Sequence, residues 1–159
     1  MPGLFFEEFN VGDEFITPRR SITESDVMLF AGLSGDSNPI HTDRVFAEGS
    51  PFGACIAHGL LGLAVATGLS ARTGVLDGTA IALLSVDSWT FKKPIFFGDT
   101  IHAKMTIVGK RETRHAERGI IQRSFELINQ DGTIVQQGTL TTMVMRAPAT
   151  TASPDSDSN

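Results

Sequence analysis

Cysteine is nearly missing: Cys55 is the only one in 159 residues. A single thiol can neither close an intramolecular disulfide nor build a cysteine-based zinc site. A reducing cytoplasm is the simplest setting for such a chain. Long apolar runs are missing too; nothing approaches the roughly 18 residues a membrane span needs. The first ten residues hold no basic stretch followed by an apolar one, so no secretory leader is visible. Basic excess is also lacking: 13 Lys+Arg stand against 18 Asp+Glu, a formal net charge of -5. That balance argues against a nucleic-acid partner, which selects a basic surface. What is present suits a globule. Apolar residues make up 41% of the chain, and a chain this long buries about 70% of its unfolded surface in one domain.

Absence also marks two segments. Residues 147–159 contain no Leu, Ile, Val, Met or aromatic residue. With nothing to bury against the entropy of ordering, they read as a disordered tail, which leaves a folded domain over residues 1–146. Residues 49–71 contain no Asp, Glu, Lys or Arg. Within them Leu60, Leu61, Leu63, Ala64, Val65, Ala66 and Leu69 are apolar on every helical face, the pattern of a wholly buried helix. Gly59, Gly62 and Gly68 would let a sheet approach that helix closely.

The remaining elements follow from caps and periods. Thr23-Glu24-Ser25-Asp26 is a capping box ahead of Val27, Phe30 and Ala31 at helical spacing, and Gly32 and Gly35 stop the helix. Thr42 is placed to cap a short helix through Ala47. Ile101, Ala103, Met105 and Ile107 alternate with polar residues, as in a half-buried strand. Ala80 to Lys92, Ile120 to Ile128 and Thr133 to Met145 also read as strands, with residues 110–119 as a charged hairpin connection. Helices followed by strands on short turns predict an α+β domain. The arrangement expected is a hotdog fold, a long antiparallel sheet around one central helix. Such a sheet covers its helix on one side only, so a symmetric dimer, or a dimer of dimers, is expected.

Asp36, Asn38 and His41 fall within six residues of a Gly- and Pro-containing loop. If the loop curls, a carboxylate and an imidazole five apart can converge on one water. An imidazole gives or takes a proton near neutral pH, and Asn38 is placed to orient either partner. His58-Gly59 opens the central helix, where free backbone N–H groups can hold a developing oxyanion. Each residue also has a plainer reading. Asp36 suits an Asx turn, His41 a surface loop, and His58 a buried histidine pinning the helix start. Cys55 suits an inert small hydrophobe. Asp36, His41, Asp43 and His58 offer N/O metal ligands, but no recognised spacing such as H-E-x-x-H is present, so no metal and no cofactor are expected.

Three segments together resemble the signature of the MaoC-like (R)-specific enoyl-CoA hydratases. They are Gly35-Asp36-Ser37-Asn38-Pro39-Ile40-His41, then Ile56-Ala57-His58-Gly59, then Phe91-Lys92-Lys93-Pro94-Ile95-Phe96-Phe97-Gly98-Asp99. The resemblance spans about residues 10–145. It implies a hotdog that dimerises and binds acyl-CoA thioesters, with CoA as part of the substrate. Asp36 and His41 match the catalytic pair. Gly59 matches the position whose N–H binds the thioester oxygen, with His58 beside it. Thr67 falls where several members have a serine. Leu61, Val65 and Thr67 are then expected beside the acyl chain, and Lys92, Lys93 or the basic residues of 110–118 near the CoA phosphates. The reaction implied is reversible hydration of a trans-2-enoyl-CoA to a (3R)-3-hydroxyacyl-CoA. Hotdog thioesterases and non-catalytic acyl-CoA-binding subunits share the architecture.

Overall fold

The computed structural model describes residues 3–148. Five of its strands lie in the order β1-β4-β5-β6-β3, and the sixth, β2, also pairs with β4. The strands are β1 (Glu14–Ile16), β2 (Arg20–Ser21), β3 (Ala80–Phe91), β4 (Thr100–Glu112), β5 (Arg118–Ile128) and β6 (Ile134–Met145), with every pairing antiparallel. Helices α1 (Glu24–Ser34), α2 (Pro39–Thr42), α3 (Arg44–Glu48) and α4 (Gly59–Ala71) come between β2 and β3. Helix α4 packs on the inner face of β4 and β5. This is the hotdog arrangement. Among the described residues no helix is long and apolar enough to cross a membrane.

Alternation explains the packing. Ile101, Ala103, Met105 and Ile107 of β4 are buried, while Thr100, His102, Lys104 and Thr106 between them are only half-buried. The inward row meets Leu61, Val65, Ala66 and Leu69 of α4, with Phe125, Leu127 and Leu140 completing the core. A second cluster closes the far end. There Phe6 and Phe9 of the N-terminal segment pack on Ile107, Ile121 and Val144.

The capping box forms as read: Thr23 accepts from the Asp26 N–H, and the Asp26 carboxylate accepts from the Thr23 N–H. Two expectations need correction, and the strand order adds a crossover. Thr42 caps nothing. Asp43, one residue later, caps α3 by accepting from the Phe46 N–H, and α2 is a separate turn capped by Asn38. Nor is α4 buried all round, because Leu60, Ala64 and Gly68 form an exposed row at i, i+4, i+8. Strand β3 does not neighbour β4, the next strand in sequence. It crosses to the far edge and pairs with β6. The tail expected over 147–159 lies outside the described residues from 149 onward. At its start, the Ala147 N–H donates to Glu7.

Candidate active site

The loop after α1 is folded by its own polar groups. Gly35 ends the helix, its N–H donating to the Ala31 carbonyl. The Asp36 N–H donates to Ser34 Oγ at 3.2 Å, and Asp36 Oδ1 accepts from the Asn38 N–H at 3.2 Å. Asn38 in turn accepts from the Ile40 N–H and so starts α2. Pro39 follows at the first helical position, where a missing N–H costs nothing. These turns set His41 on α2, five residues from Asp36. The Asx-turn reading and the catalytic reading of Asp36 are therefore compatible. One carboxylate oxygen closes the turn; the other stays free, 4.0 Å from His58 Nε2, on a side chain 55% exposed.

Both imidazoles are oriented by backbone carbonyls. His41 Nδ1 lies 2.7 Å from the Ile56 carbonyl oxygen. A carbonyl only accepts, so Nδ1 carries the proton, and Nε2 of the neutral ring is left with a free lone pair. His58 Nε2 donates to the Asp36 carbonyl oxygen at 2.8 Å. The two rings stack with centroids 3.8 Å apart, and Phe30 of α1 lies against His58. His58 is buried, and its Nδ1 has no partner among the described residues. It thus ties the Asp36 loop to the start of α4 and backs His41.

The start of α4 is held from the other side by the Pro94-containing segment. The Ala57 N–H donates to the Ile95 carbonyl, and Ile56 bridges Phe96. Asp99 accepts from the Phe96 N–H and shapes the turn into β4. No side chain caps α4 at His58, and among the described residues no carbonyl accepts from the Gly59 or Leu60 N–H. Two free donors at a helix N-terminus carry partial positive charge. They border a cavity of about 430 Å³ whose wall includes His41, Phe52, Ile56, Leu60, Phe91 and Lys93.

The MaoC like domain matches residues 8–126. The chain belongs to the MaoC-like dehydratase family. It is 37% identical over 105 residues to an (R)-specific enoyl-CoA hydratase of Rhodospirillum rubrum, covering 66% of this chain and 70% of that one. It is 37% identical over 120 residues to Protein MaoC of Klebsiella aerogenes, covering 76% of this chain but only 35% of that protein, so it spans about a third of that relative's length. Among solved structures, a MaoC-like dehydratase from R. rubrum superposes with a TM-score of 0.83 at 29% identity, covering 92% of this chain and 99% of that one.

Of the residues singled out in this MaoC-like chain, Asp36, His41, His58 and Gly59 come together. Asn38 acts locally, capping α2 with its side chain and bonding Asp36 with its N–H. Thr67 sits two turns further along α4, about 12 Å from Gly59 by helical rise, and its hydroxyl donates to the Ala64 carbonyl. Leu61 and Val65 face the core and a separate groove between Arg20 and Arg72. Leu60, Phe52 and Phe91 take the positions beside the cavity instead. Asp43 caps α3. Asp36, His41 and His58 bring ligand atoms within 4.8 Å of one another. However, His58 Nε2 and His41 Nδ1 are engaged as donors to carbonyls, an arrangement that leaves each ring one lone-pair nitrogen at most. Sequence reasoning missed Gln136, which borders the cavity from β6. A glutamine in a strand looks like a surface residue unless the inward register of β6 is known.

Proposed function

We propose that this chain catalyses the reversible hydration of a trans-2-enoyl-CoA to a (3R)-3-hydroxyacyl-CoA. The observation that carries the reading is the Asp36 carboxylate, with an oxygen within 4.8 Å of a His41 ring nitrogen, and the place of His41 and of the unbonded Gly59 on the wall of one cavity. One water between the pair loses a proton to it as the water oxygen bonds to C3. The pair returns a proton to C2 on the same face, so H and OH of one water are added. Charge grows on the thioester oxygen, and the Gly59 N–H stabilises it; a single such donor is worth about 10²–10³ in rate. The acyl group lies against Leu60, Phe52 and Phe91. Lys92 and Lys93, at the cavity wall, are the cations assigned to the CoA phosphates. Relatives support the chemistry: besides the R. rubrum hydratase, a protein of Methylorubrum extorquens, 37% identical over 105 residues, is named 3-hydroxybutyryl-CoA dehydratase. The working unit is a homodimer in the cytoplasm.

The test is loss of enoyl-thioester absorbance with crotonyl-CoA and longer or branched homologues, with free thiol followed in parallel. Wild type is expected to consume the double bond without releasing thiol. Asp36→Ala and His41→Ala are each expected to lose at least a thousandfold in kcat with an unchanged unfolding midpoint. Thiol release would instead indicate a thioesterase, and near-normal turnover in either variant would end the assignment of the pair.

A further inference from the structure

Gln136 lies on β6, opposite Phe91 of β3 and Leu127 of β5, and is 2% exposed. Its Nε2 donates to the Gly59 carbonyl at 3.0 Å. Its Oε1 accepts from the Trp89 indole N–H, also at 3.0 Å. The chemistry fixes the amide orientation, because an indole N–H only donates and a carbonyl only accepts. A side chain between them must accept at one end and donate at the other. Glutamate in the same place would accept from Trp89 but turn a lone pair on the Gly59 carbonyl. An apolar residue would leave the buried indole N–H unpaired.

The surroundings are cut to fit this bridge. A Cβ on Gly62 would lie 2.3 Å from Gln136 Nε2, so α4 descends onto the amide only because residue 62 has no side chain. A Cβ on Gly138 would lie 2.5 Å from the Trp89 ring and 2.2 Å from the Ser88 carbonyl oxygen. Trp89 itself packs on Phe125. The bridge runs from a packed strand pair to Gly59, the first residue of α4, a helix whose start has no side-chain cap.

We propose that Gln136 is a positioning residue for catalysis, with Trp89 fixing its amide. It holds the Gly59–Leu60 peptide so that the free N–H groups at the start of α4 stay aimed at the developing oxyanion. The inference rests on the hydratase reading. The Gly59 carbonyl belongs to the same peptide as the Leu60 N–H, so a hydrogen bond to that oxygen polarises the peptide and strengthens Leu60 as a donor. Placement matters most when charge develops on the thioester oxygen, so the effect falls on the transition state more than on substrate binding.

The experiment compares wild type, Gln136→Leu, Gln136→Glu and Trp89→Phe as full-length proteins. The readouts are kcat and KM with crotonyl-CoA, the Kd of the unreactive butyryl-CoA, and the amide ¹⁵N shift of Leu60. Gln136→Leu is expected to lower kcat at least tenfold, with KM and the butyryl-CoA Kd within about threefold of wild type. Gln136→Glu should fall further, and Trp89→Phe less. The Leu60 nitrogen resonance should move in both Gln136 variants. A Gln136→Leu kcat within twofold of wild type would overturn the proposal. So would kcat, butyryl-CoA affinity and unfolding midpoint all dropping together, since that is structural damage alone. If wild type hydrates no enoyl-CoA, the hydratase reading fails by itself. The Leu60 shift then decides the bridge: a moved resonance supports Gln136 as the anchor of α4, and an unmoved one overturns it.

Discussion

His58 ties the loop carrying Asp36 to the start of α4. Its Nε2–H is spent on the Asp36 carbonyl, and its ring backs His41. In sequence, the residue before Gly59 reads as a buried pin of the helix start or, by the resemblance, as part of the substrate-binding position. Only the bond partner, 22 positions away, separates the two. His58→Phe isolates the roles. Phenylalanine keeps the stack and fills the buried volume but leaves the Asp36 carbonyl without its donor. Losing one such bond costs about 0.5–1.5 kcal/mol net, and the loop carrying Asp36, an exposed residue, is free to relax toward water. We expect kcat to fall at least tenfold while the unfolding midpoint shifts by only a few degrees. Activity within twofold of wild type would show that stacking alone suffices. The loop around Asp36 was legible because its turns are local: Gly35, Asp36, Asn38 and Pro39 each act within a few residues. Gln136 was not, because its partners Trp89 and Gly59 lie 47 and 77 positions away.

At the scale of elements, α4 is held at both ends by single side chains from the sheet. Gln136 meets its first turn; Arg123 of β5 meets its last. Arg123 is 7% exposed, donates to Ser70 Oγ and Thr142 Oγ1 at 2.9 Å each, and has no carboxylate partner among the described residues. Burial draws its pKa down to about 10. Three effects compete. Desolvating the cation costs several kcal/mol. Two charge-assisted hydrogen bonds return roughly 1.5–3 kcal/mol each. The negative end of α4 returns up to about 2 kcal/mol. These nearly cancel, so Arg123→Met, which keeps the length and much of the volume, should change stability by less than about 1 kcal/mol in urea unfolding. A loss above about 3 kcal/mol would mean that the guanidinium is a keystone of the fold. The alternation of β4 and the capping box of α1 could be read directly, since each repeats a short-range period. The position of β3 could not. Short turns suggest neighbours, yet the eight residues between Phe91 and Thr100 carry the chain back across the sheet.

For the molecule as a whole, β3 is the feature that offers a surface to a partner. It is a twelve-residue edge strand with no Lys, Arg or Pro to discourage pairing. Ile81, Leu83, Leu84 and Val86 are all exposed on it. Asp87, its one charge, accepts from Ser85 and Thr141 and so does little to guard the edge. Helix α4 lies over β4 and β5 and leaves this side of the inner face open, with Leu60 exposed beside it. The apolar pattern of α4 predicts burial on every face, whereas the chain buries Leu61, Val65, Ala66 and Leu69 and leaves Leu60, Ala64 and Gly68 exposed. A second copy pairing β3 against β3 would extend the sheet symmetrically and close the trough next to the Gly59 cavity. Sedimentation of the wild type at micromolar concentration should therefore give twice the chain mass. Leu84→Lys with Val86→Lys places four buried cations across a two-fold axis and should give the monomer. Phe91, Trp89 and Gln136 sit at one end of that strand pair, so loss of the dimer should also depress kcat, although neither lysine touches the cavity. A wild type that sediments as a monomer would show instead that the exposed edge is tolerated. A monomeric double variant with full activity would separate assembly from catalysis altogether.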